Sequence, residues 1–234
     1  MKINGIDVEK FGAKQLTVNI QPAQDADGVE WIPGAAIPTP KKTTTTFATV
    51  EIVLLFRGSD PGRITRQIGD ALHLLKATEG ADLELRGYRD NFKGWYVSST
   101  IGKFERNKTH RRLTVNMKGY LHGTTIRKTF TGTQSTTIRR AGARPAPVIL
   151  TVTPETDLTE IEIAGLTEDP ITINNLTAGV PVVIDGRDGT AQEAGESKAA
   201  DVDMWEAPTL TGTDVTVTWS AAAAVTLEYQ PIWL

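Results

Sequence analysis

The sequence predicts a two-domain protein: an N-terminal α+β domain, in which an antiparallel sheet packs against one amphipathic helix, followed by an all-β sandwich. Strand-like alternation of apolar and polar residues recurs along most of the 234 residues, whereas helical periodicity occurs in one segment. The chain also contains 33 threonines, a β-branched residue that favours strands. Hydrophobic residues make up 39% and charged residues 23%, which suits packed domains and excludes a disordered chain.

The uneven distribution of charge along the chain predicts the domain boundary. Residues 1–140 carry 22 Lys and Arg against 13 Asp and Glu, a net charge of +9, whereas residues 141–234 carry 3 against 15, a net charge of −12. The change of sign falls at the segment RRAGARPAP, whose prolines, glycine and small residues favour an exposed linker. We therefore predict a first domain at 1–138, a linker at 139–147 and a second domain at 148–234.

The first domain begins with a turn and a half-buried strand. Asn4-Gly5 is a two-residue hairpin signal, and Leu16, Val18 and Ile20 alternate with polar residues so that they share one face.

Residues 21–46 then break the pattern, with four prolines and no periodicity. Because loops of this length are uncommon in compact domains, we interpret the segment as an extended arm that is ordered by a neighbouring subunit. Trp31 is its apolar anchor and a candidate subunit contact.

A central strand and the single helix follow the arm. Residues 50–56 are apolar on both faces, as expected of a strand with neighbours on either side. Asp60 is the candidate N-cap, Pro61 suits the first helical position, and Gly80 is the candidate left-handed C-cap. Further strands of this domain are predicted at 83–88, 94–104, 111–121 and 126–130.

The second domain has no helical signal. Strand patterns occur at 148–152, 159–163, 171–174, 181–184, 215–219 and 225–229. Turn signals such as Asp185-Gly186 and Thr211-Gly212 separate them, and short strands at this spacing are typical of a β-sandwich. Trp219 lies on the alternating inward face and is predicted to be core.

The sequence offers little for catalysis. It has no cysteine, and its three histidines, His73, His110 and His122, are expected to be structural or solvated rather than catalytic or metal-binding. The segment IDGRDG contains two aspartates but lacks the ligand spacing of a calcium loop, so we interpret it as a turn. We predict no enzyme activity, no catalytic residue, no metal and no cofactor.

The chain is also expected to have no membrane partner. Its longest apolar runs, 52–56 and 221–225, are too short to cross a bilayer, and no secretory signal is visible, so synthesis in the cytoplasm is expected.

Basic residues cluster over two neighbouring predicted strands of the first domain. Such a cluster could neutralise nucleic-acid phosphates, but neither a nucleic-acid-binding signature nor a series of stacking aromatics accompanies it. We therefore interpret it as a surface for an acidic protein partner or for another copy of the chain. The candidate contacts are Lys103, Arg106, Lys108, Arg111 and Arg112, and Lys118, Arg127, Lys128, Arg139 and Arg140 extend the cluster.

Trp205 lies in a predicted loop of the sandwich, within the sequence Met204-Trp205-Glu206. Because an exposed indole can stack on a sugar ring, Trp205 is the candidate platform for a glycan.

The order of these features resembles the distal tail protein (Dit) family of long-tailed, siphovirus-type bacteriophages. The chain starts MKINGIDVEKFGA and continues with the strand-rich domain, the single helix and the proline-containing linker. The sandwich carries the closest similarity, in ITINNLTAGVPVVIDG, APTLTGTDVTVTWS and the closing strand VTLEYQPIWL. The resemblance extends over nearly the whole chain and lies in segment order rather than in a catalytic motif.

The resemblance implies a structural protein of the phage tail tip, present in the virion and made in the cytoplasm of the bacterial host. The first domains would form a hexameric ring that joins the tail tube to the baseplate and its adhesion proteins, and the galectin-like sandwiches would project outward. The galectin sugar motif HxNPR followed by WxxE is absent from this sandwich. A carbohydrate-binding accessory module that attaches to host or matrix glycans remains the alternative function.

Overall fold

A computed structural model describes residues 1–23, 29–30, 39–40 and 47–233 of the protein. The chain divides into two compact units, Met1–His122 (unit 1) and Gly123–Trp233 (unit 2), and each has its own hydrophobic core. No helix in these ranges is long and apolar enough to span a membrane.

Unit 1 contains nine strands and one α-helix in its described part. They are β1 (Lys2–Ile3), β2 (Ile6–Asp7), β3 (Ala13–Gln21), β4 (Val29–Glu30), β5 (Thr39–Pro40), β6 (Ala48–Arg57), α1 (Pro61–Leu75), β7 (Ala81–Glu84), β8 (Asn91–Glu105) and β9 (His110–His122). Seven strands form one antiparallel sheet in the order β2-β1-β7-β8-β9-β6-β3, and β4 pairs with β5.

The core of unit 1 lies between this sheet and α1. Alternate residues of β6 from Val50 to Phe56 are buried, and so are Ile64, Ile68 and Leu75 on one face of the helix. β6 lies between β3 and β9, so the predictions of a central strand and of an amphipathic helix are confirmed. The Asn4-Gly5 turn is confirmed as well, because it joins β1 to β2.

The start of α1 follows the prediction, but its end does not. Asp60 has an extended backbone, and its carboxylate accepts a hydrogen bond from the Arg63 N–H at 2.9 Å, as an N-cap does. The prediction of Gly80 as the C-cap is wrong, because the helix ends at Leu75 with Lys76 as its cap. Gly80 instead closes the following turn, at φ +77°.

A β-bulge corrects the predicted face of β3. The pairing of β3 with β6 shifts register between Gln15 and Thr17, so Leu16 is the extra residue. Leu16 is 41% exposed, whereas Val18 and Ile20 pack against the core. Strict alternation along the sequence does not anticipate this shift.

Unit 2 contains twelve strands in its described part. They are β10 (Ile126–Phe130), β11 (Ser135–Arg139), β12 (Ala146–Pro154), β13 (Leu158–Ala164), β14 (Ile171–Leu176), β15 (Val182–Asp185), β16 (Thr190–Glu193), β17 (Glu196–Ser197), β18 (Val202–Asp203), β19 (Thr209–Leu210), β20 (Asp214–Trp219) and β21 (Ala223–Tyr229). One antiparallel sheet has the order β10-β21-β12-β15-β16-β17, with β19 also on β12, and the other has the order β11-β20-β13-β14-β18. A single core cluster draws on both sheets, which makes unit 2 a sandwich, and Trp219 belongs to that core at 3% exposure.

The predicted boundary is corrected by strand pairing. β10 pairs with β21 and β11 with β20, so residues 126–139 belong to the sandwich rather than to the first domain. The segment predicted as a linker is held inside unit 2, where Ala143 N–H donates to the Ile232 carbonyl at 2.8 Å. Counted by unit, residues 1–122 carry 18 Lys and Arg against 13 Asp and Glu, a net charge of +5, and residues 123–234 carry 7 against 15, a net charge of −8. Unit 1 is therefore still basic and unit 2 still acidic, but the difference in net charge is smaller than the sequence boundary predicts.

Candidate interaction surfaces

The β8–β9 hairpin dominates unit 1. The two strands pair from Asn91↔His122 to Glu105↔His110, with register shifts after Tyr96 and after Ile101. This long ribbon carries all five residues of the basic cluster that the sequence singled out, because the cluster spans the end of β8, the turn and the start of β9.

Basic side chains occupy the turn of this hairpin. Arg106, Asn107 and Lys108 have φ angles of 50°, 56° and 67°, so three consecutive residues are left-handed. The Thr109 hydroxyl closes the turn by donating to the Arg106 carbonyl at 2.6 Å. Lys103, Arg106 and Lys108 are exposed, which gives the tip a positive surface.

The remaining two basic residues are engaged within the hairpin. Arg111 Nε donates to the Gly102 carbonyl at 2.9 Å, and its guanidinium lies 4.4 Å from the centre of the Phe104 ring. Arg112 Nε lies 3.1 Å from Glu105 Oε1. The predicted cluster therefore separates into three exposed residues at the tip and two that brace the hairpin, of which Arg112 is also exposed.

Of the five basic residues that extend the cluster in the sequence, Lys118 lies exposed on β9 of unit 1, whereas the other four lie outside that unit. Arg127, Lys128, Arg139 and Arg140 all lie in unit 2. Arg140 is used internally, because its Nε donates to the Gly212 carbonyl at 2.9 Å.

Two long edges of the unit 1 sheet lack a neighbouring strand in the described structure, in addition to the two-residue β2 at one end. β7 pairs with β8 only at residues 92–94, so β8 from Trp95 to Glu105 has β9 as its one partner. At the other end of the sheet, β3 pairs with β6 alone. The outer edge of β8 is open because β7 has four residues and β8 has fifteen.

Apolar side chains lie exposed on both open edges. Val97 and Ile101 on β8 are 52% and 42% exposed, and Leu16 on β3 is 41% exposed. Long edges with exposed apolar residues are templates for pairing with another chain, and monomeric proteins usually protect them. No sequence pattern identified these edges, since an edge is defined by the strand that does not pair with it.

Trp31, the predicted anchor of the arm, lies outside the described residues, as does most of the segment 21–46.

The Trp205 loop of unit 2 adjoins a groove. Trp205 is 88% exposed, and the next residue, Glu206, forms part of an open groove of about 620 Å³ between the β13–β14 turn and the segment before β20. Its lining residues are Gly165, Leu166, Thr167, Glu168, Glu206, Ala207, Thr209 and Thr211.

The aspartates of the IDGRDG segment are used inside their own turn. Arg187 Nε donates to Asp185 Oδ1 at 2.9 Å, and the hydrogen bonds from this guanidinium hold the pKa of Asp185 below its ordinary value. Asp188 accepts from the Thr190 N–H and hydroxyl. The carboxylates thus stabilise a turn, in line with the interpretation from the sequence.

The histidines differ in their surroundings. His73 is exposed on α1, and His110 Nδ1 lies 2.9 Å from the Thr109 hydroxyl. The sequence predicts a solvated His122 at a strand end, and this is wrong, because His122 is only 5% exposed and its Nε2 lies 3.5 Å from Asp82 Oδ1. Within the described ranges no group of three His, Asp or Glu side chains is placed to hold a metal ion.

No protein-family model and no curated protein matches the sequence. Solved structures do match, over 95–100% of this chain. One is SPP1 Dit (gp19.1), described as a paradigm of the hub adsorption apparatus in phages that infect Gram-positive bacteria. It is 13% identical, with a TM-score of 0.80, and the match covers 100% of this chain and 98% of that chain.

Chains of the phage P2 baseplate in its activated conformation match as well. The TM-score is 0.57 for the structure with Ca and 0.58 for the structure with Sr, each at 8% identity over 95% of this chain and 92% of that chain. The protein therefore has the fold of SPP1 Dit, and the resemblance to distal tail proteins is confirmed at the level of the fold.

Proposed function

We propose that the protein is a non-enzymatic structural component of a phage tail tip, located in the virion. Its first unit forms a hexameric hub ring that joins the tail tube to the adhesion proteins, and its second unit is a galectin-like sandwich. The observation that carries this proposal is the fold shared with a phage hub protein from one end of the chain to the other. Both units take part in that likeness, as expected if the hub role needs both.

The two open edges of the unit 1 sheet support ring formation. β3 is the last strand on one side of the sheet, and the outer part of β8 is open on the side that faces away from β9, so β8 of one copy can pair with β3 of the next. Pairing of two different surfaces is a heterologous contact, which generates a ring when the rotation closes. A second copy of the chain fits these edges because each copy presents one edge of each kind.

Apolar burial and strand pairing supply most of the contact energy. Val97, Ile101 and Leu16 would all become buried by such a contact, and fully burying a side chain of this size is worth about 1.5–3 kcal/mol. The exposed charges of the hairpin tip contribute less, since exposed ion pairs are worth about 0–1 kcal/mol each. They select an acidic partner surface and speed association rather than hold the ring together.

Two substitutions to aspartate test whether the ring forms by pairing of the β8 edge with the β3 edge. Ile101→Asp blocks the β8 edge and Leu16→Asp blocks the β3 edge, and each is expected to reduce the assembly to a monomer in sedimentation velocity. A mixture of the two variants retains one intact edge of each kind, so it is expected to form a dimer of about 51 kDa, twice the chain mass of 25.4 kDa.

Tyr88→Asp is the matched control, because Tyr88 is 43% exposed but lies in the β7–β8 loop rather than on an open edge. Circular dichroism confirms that each variant is folded. Assemblies that survive both edge substitutions, or that Tyr88→Asp dissociates equally, would contradict the proposed contact.

A further inference from the structure

The most exposed large apolar side chain described in unit 2 lies in a short loop between packed residues. Trp205 is 88% exposed, while the residue before it, Met204, packs against the core and the nearby Pro208 and Leu210 are buried. The chain on either side is therefore anchored, and the indole is presented to solvent by a constrained backbone. A ligand that stacks on this indole would therefore lose little binding free energy to ordering of the side chain.

The groove that begins at Glu206 is built on the same constrained backbone. Its two walls are joined by a hydrogen bond from the Thr209 N–H to the Leu166 carbonyl at 2.9 Å. Gly165 enters the wall at φ +98°, and a Cβ at that position would lie 2.0 Å from the Thr216 carbonyl oxygen. The β13–β14 turn therefore packs directly against β20, and the groove is preformed. A preformed groove lowers the conformational entropy that is lost when a ligand binds.

The polar atoms of the groove are mainly hydrogen-bond acceptors. Glu168 and Glu206 are exposed carboxylates, and the Thr167 and Thr209 hydroxyls already donate to the carbonyls of Asp169 and Ala207, at 2.5 Å and 3.1 Å. A ligand that fits must therefore offer several donors. Leu166 and Ala207 add an apolar contribution to the lining.

We propose that this groove, together with Trp205, binds a neutral oligosaccharide. A pyranose offers hydroxyl donors at its rim and an apolar C–H face that can stack on an indole, which matches the acceptors and the aromatic ring found here. The net charge of −8 on residues 123–234 disfavours anionic glycans and phosphate-bearing polymers. The groove volume of about 620 Å³ falls in the range of small-ligand clefts, about 300–1,000 Å³.

This inference goes beyond the hub function and stands without it, because it concerns unit 2 alone. A cationic peptide is the competing ligand, since an ammonium group would also suit two carboxylates and an indole. Salt separates the two: charge pairing with exposed carboxylates weakens as ionic strength rises, whereas binding of a neutral sugar does not.

The test is a titration of the full-length protein followed by NMR. The probes are maltotriose, cellotriose, triacetylchitotriose and a galactose trisaccharide, each taken to about 10 mM, which populates a millimolar site. At least one trisaccharide is expected to bind, with an affinity that is unchanged between low and high salt. Trp205→Ala is expected to weaken that binding by at least about tenfold, and Glu206→Gln by a smaller factor.

Trp233→Ala is the matched control, because Trp233 is the other exposed tryptophan of the same unit, at 40%, and, unlike Trp205, it does not adjoin a groove-lining residue in the sequence. It is expected to leave the affinity unchanged. The proposal is overturned if no trisaccharide binds, if Trp205→Ala and Trp233→Ala behave alike, or if an octalysine peptide binds in a salt-sensitive manner while every sugar fails. None of these results bears on the ring, whose test uses unit 1.

Discussion

Replacing Lys198 with methionine probes the electrostatic network of unit 2, because methionine keeps the apolar stem and removes the ammonium. Lys198 Nζ lies 2.7 Å from Glu193 Oε2 and donates to the Asn175 carbonyl at 2.7 Å. Its distance to Asp201 Oδ2 is 3.4 Å. Glu193 belongs to β16 and Asn175 to β14, so one ammonium group links the two sheets of the sandwich.

The expected loss of stability depends on how deeply the Lys198–Glu193 ion pair is buried. The side chain of Lys198 is 8% exposed and that of Glu193 is 20% exposed. Exposed ion pairs contribute about 0–1 kcal/mol, whereas removing one partner of a fully buried pair costs about 3–5 kcal/mol. This pair lies between those limits, so Lys198→Met should lower the free energy of unfolding by about 2 kcal/mol, or about 10 °C in the Tm of a domain of this size.

Thermal and urea unfolding followed by circular dichroism measure the loss, with Lys128→Met as the control. Lys128 is exposed on β10, and its substitution should change stability by less than about 0.5 kcal/mol. If Lys198→Met is as stable as the wild-type protein, the ammonium does not link the sheets and the reasoning is wrong.

The contribution of Lys198 should also depend on pH. The hydrogen bond to Glu193 raises the pKa of Lys198 above its ordinary value of 10.5, so the folded state holds this proton more tightly than the unfolded state. The stabilisation is therefore complete below the unfolded pKa and is lost as the pH rises through the folded pKa. The stability difference between wild type and Lys198→Met should be constant near neutral pH and shrink above pH 10.5.

Two further substitutions test local features. Gly165→Ala should lower the free energy of unfolding by more than about 2 kcal/mol, because the Cβ of the alanine would lie 2.0 Å from the Thr216 carbonyl oxygen. Gly179→Ala, at φ +71° with open space around it, should lower it by about 1 kcal/mol in the same urea titration. Equal losses would refute the close approach at Gly165. Asp60→Ala should lower the Tm by removing the N-cap. Because the hydrogen bond from the Arg63 N–H lowers the pKa of Asp60, the difference from wild type should diminish as the pH falls through that pKa, and a pH-independent difference would contradict it.

Local signals made part of the fold predictable. The Asp60-Pro61 start of α1 and the turn at Asn4-Gly5 depend on neighbouring residues alone, so the sequence contains all the information needed. The run of apolar residues in β6 predicts a buried strand for the same reason, because the residue types within the strand indicate its burial.

Features that depend on distant pairing were not predictable. Charge places β10 in the wrong domain, because its partner β21 follows about a hundred residues later in the sequence and the distribution of charge does not reveal that contact. Burial of His122 and exposure of Leu16 were missed for the same reason, because each depends on packing or register rather than on local pattern. Trp205 was identifiable as a loop tryptophan, but the groove beside it joins two distant segments of the chain.

The mass of the full-length protein tests the hub proposal most directly. Native mass spectrometry, repeated over a range of protein concentrations, distinguishes a closed ring from a monomer without any substitution. Six chains of 25.4 kDa predict a species of about 152 kDa, with no larger open-ended series, because a closed heterologous ring leaves no edge free. A species of 25.4 kDa at every concentration, or a ladder of chains that never closes, would contradict the account.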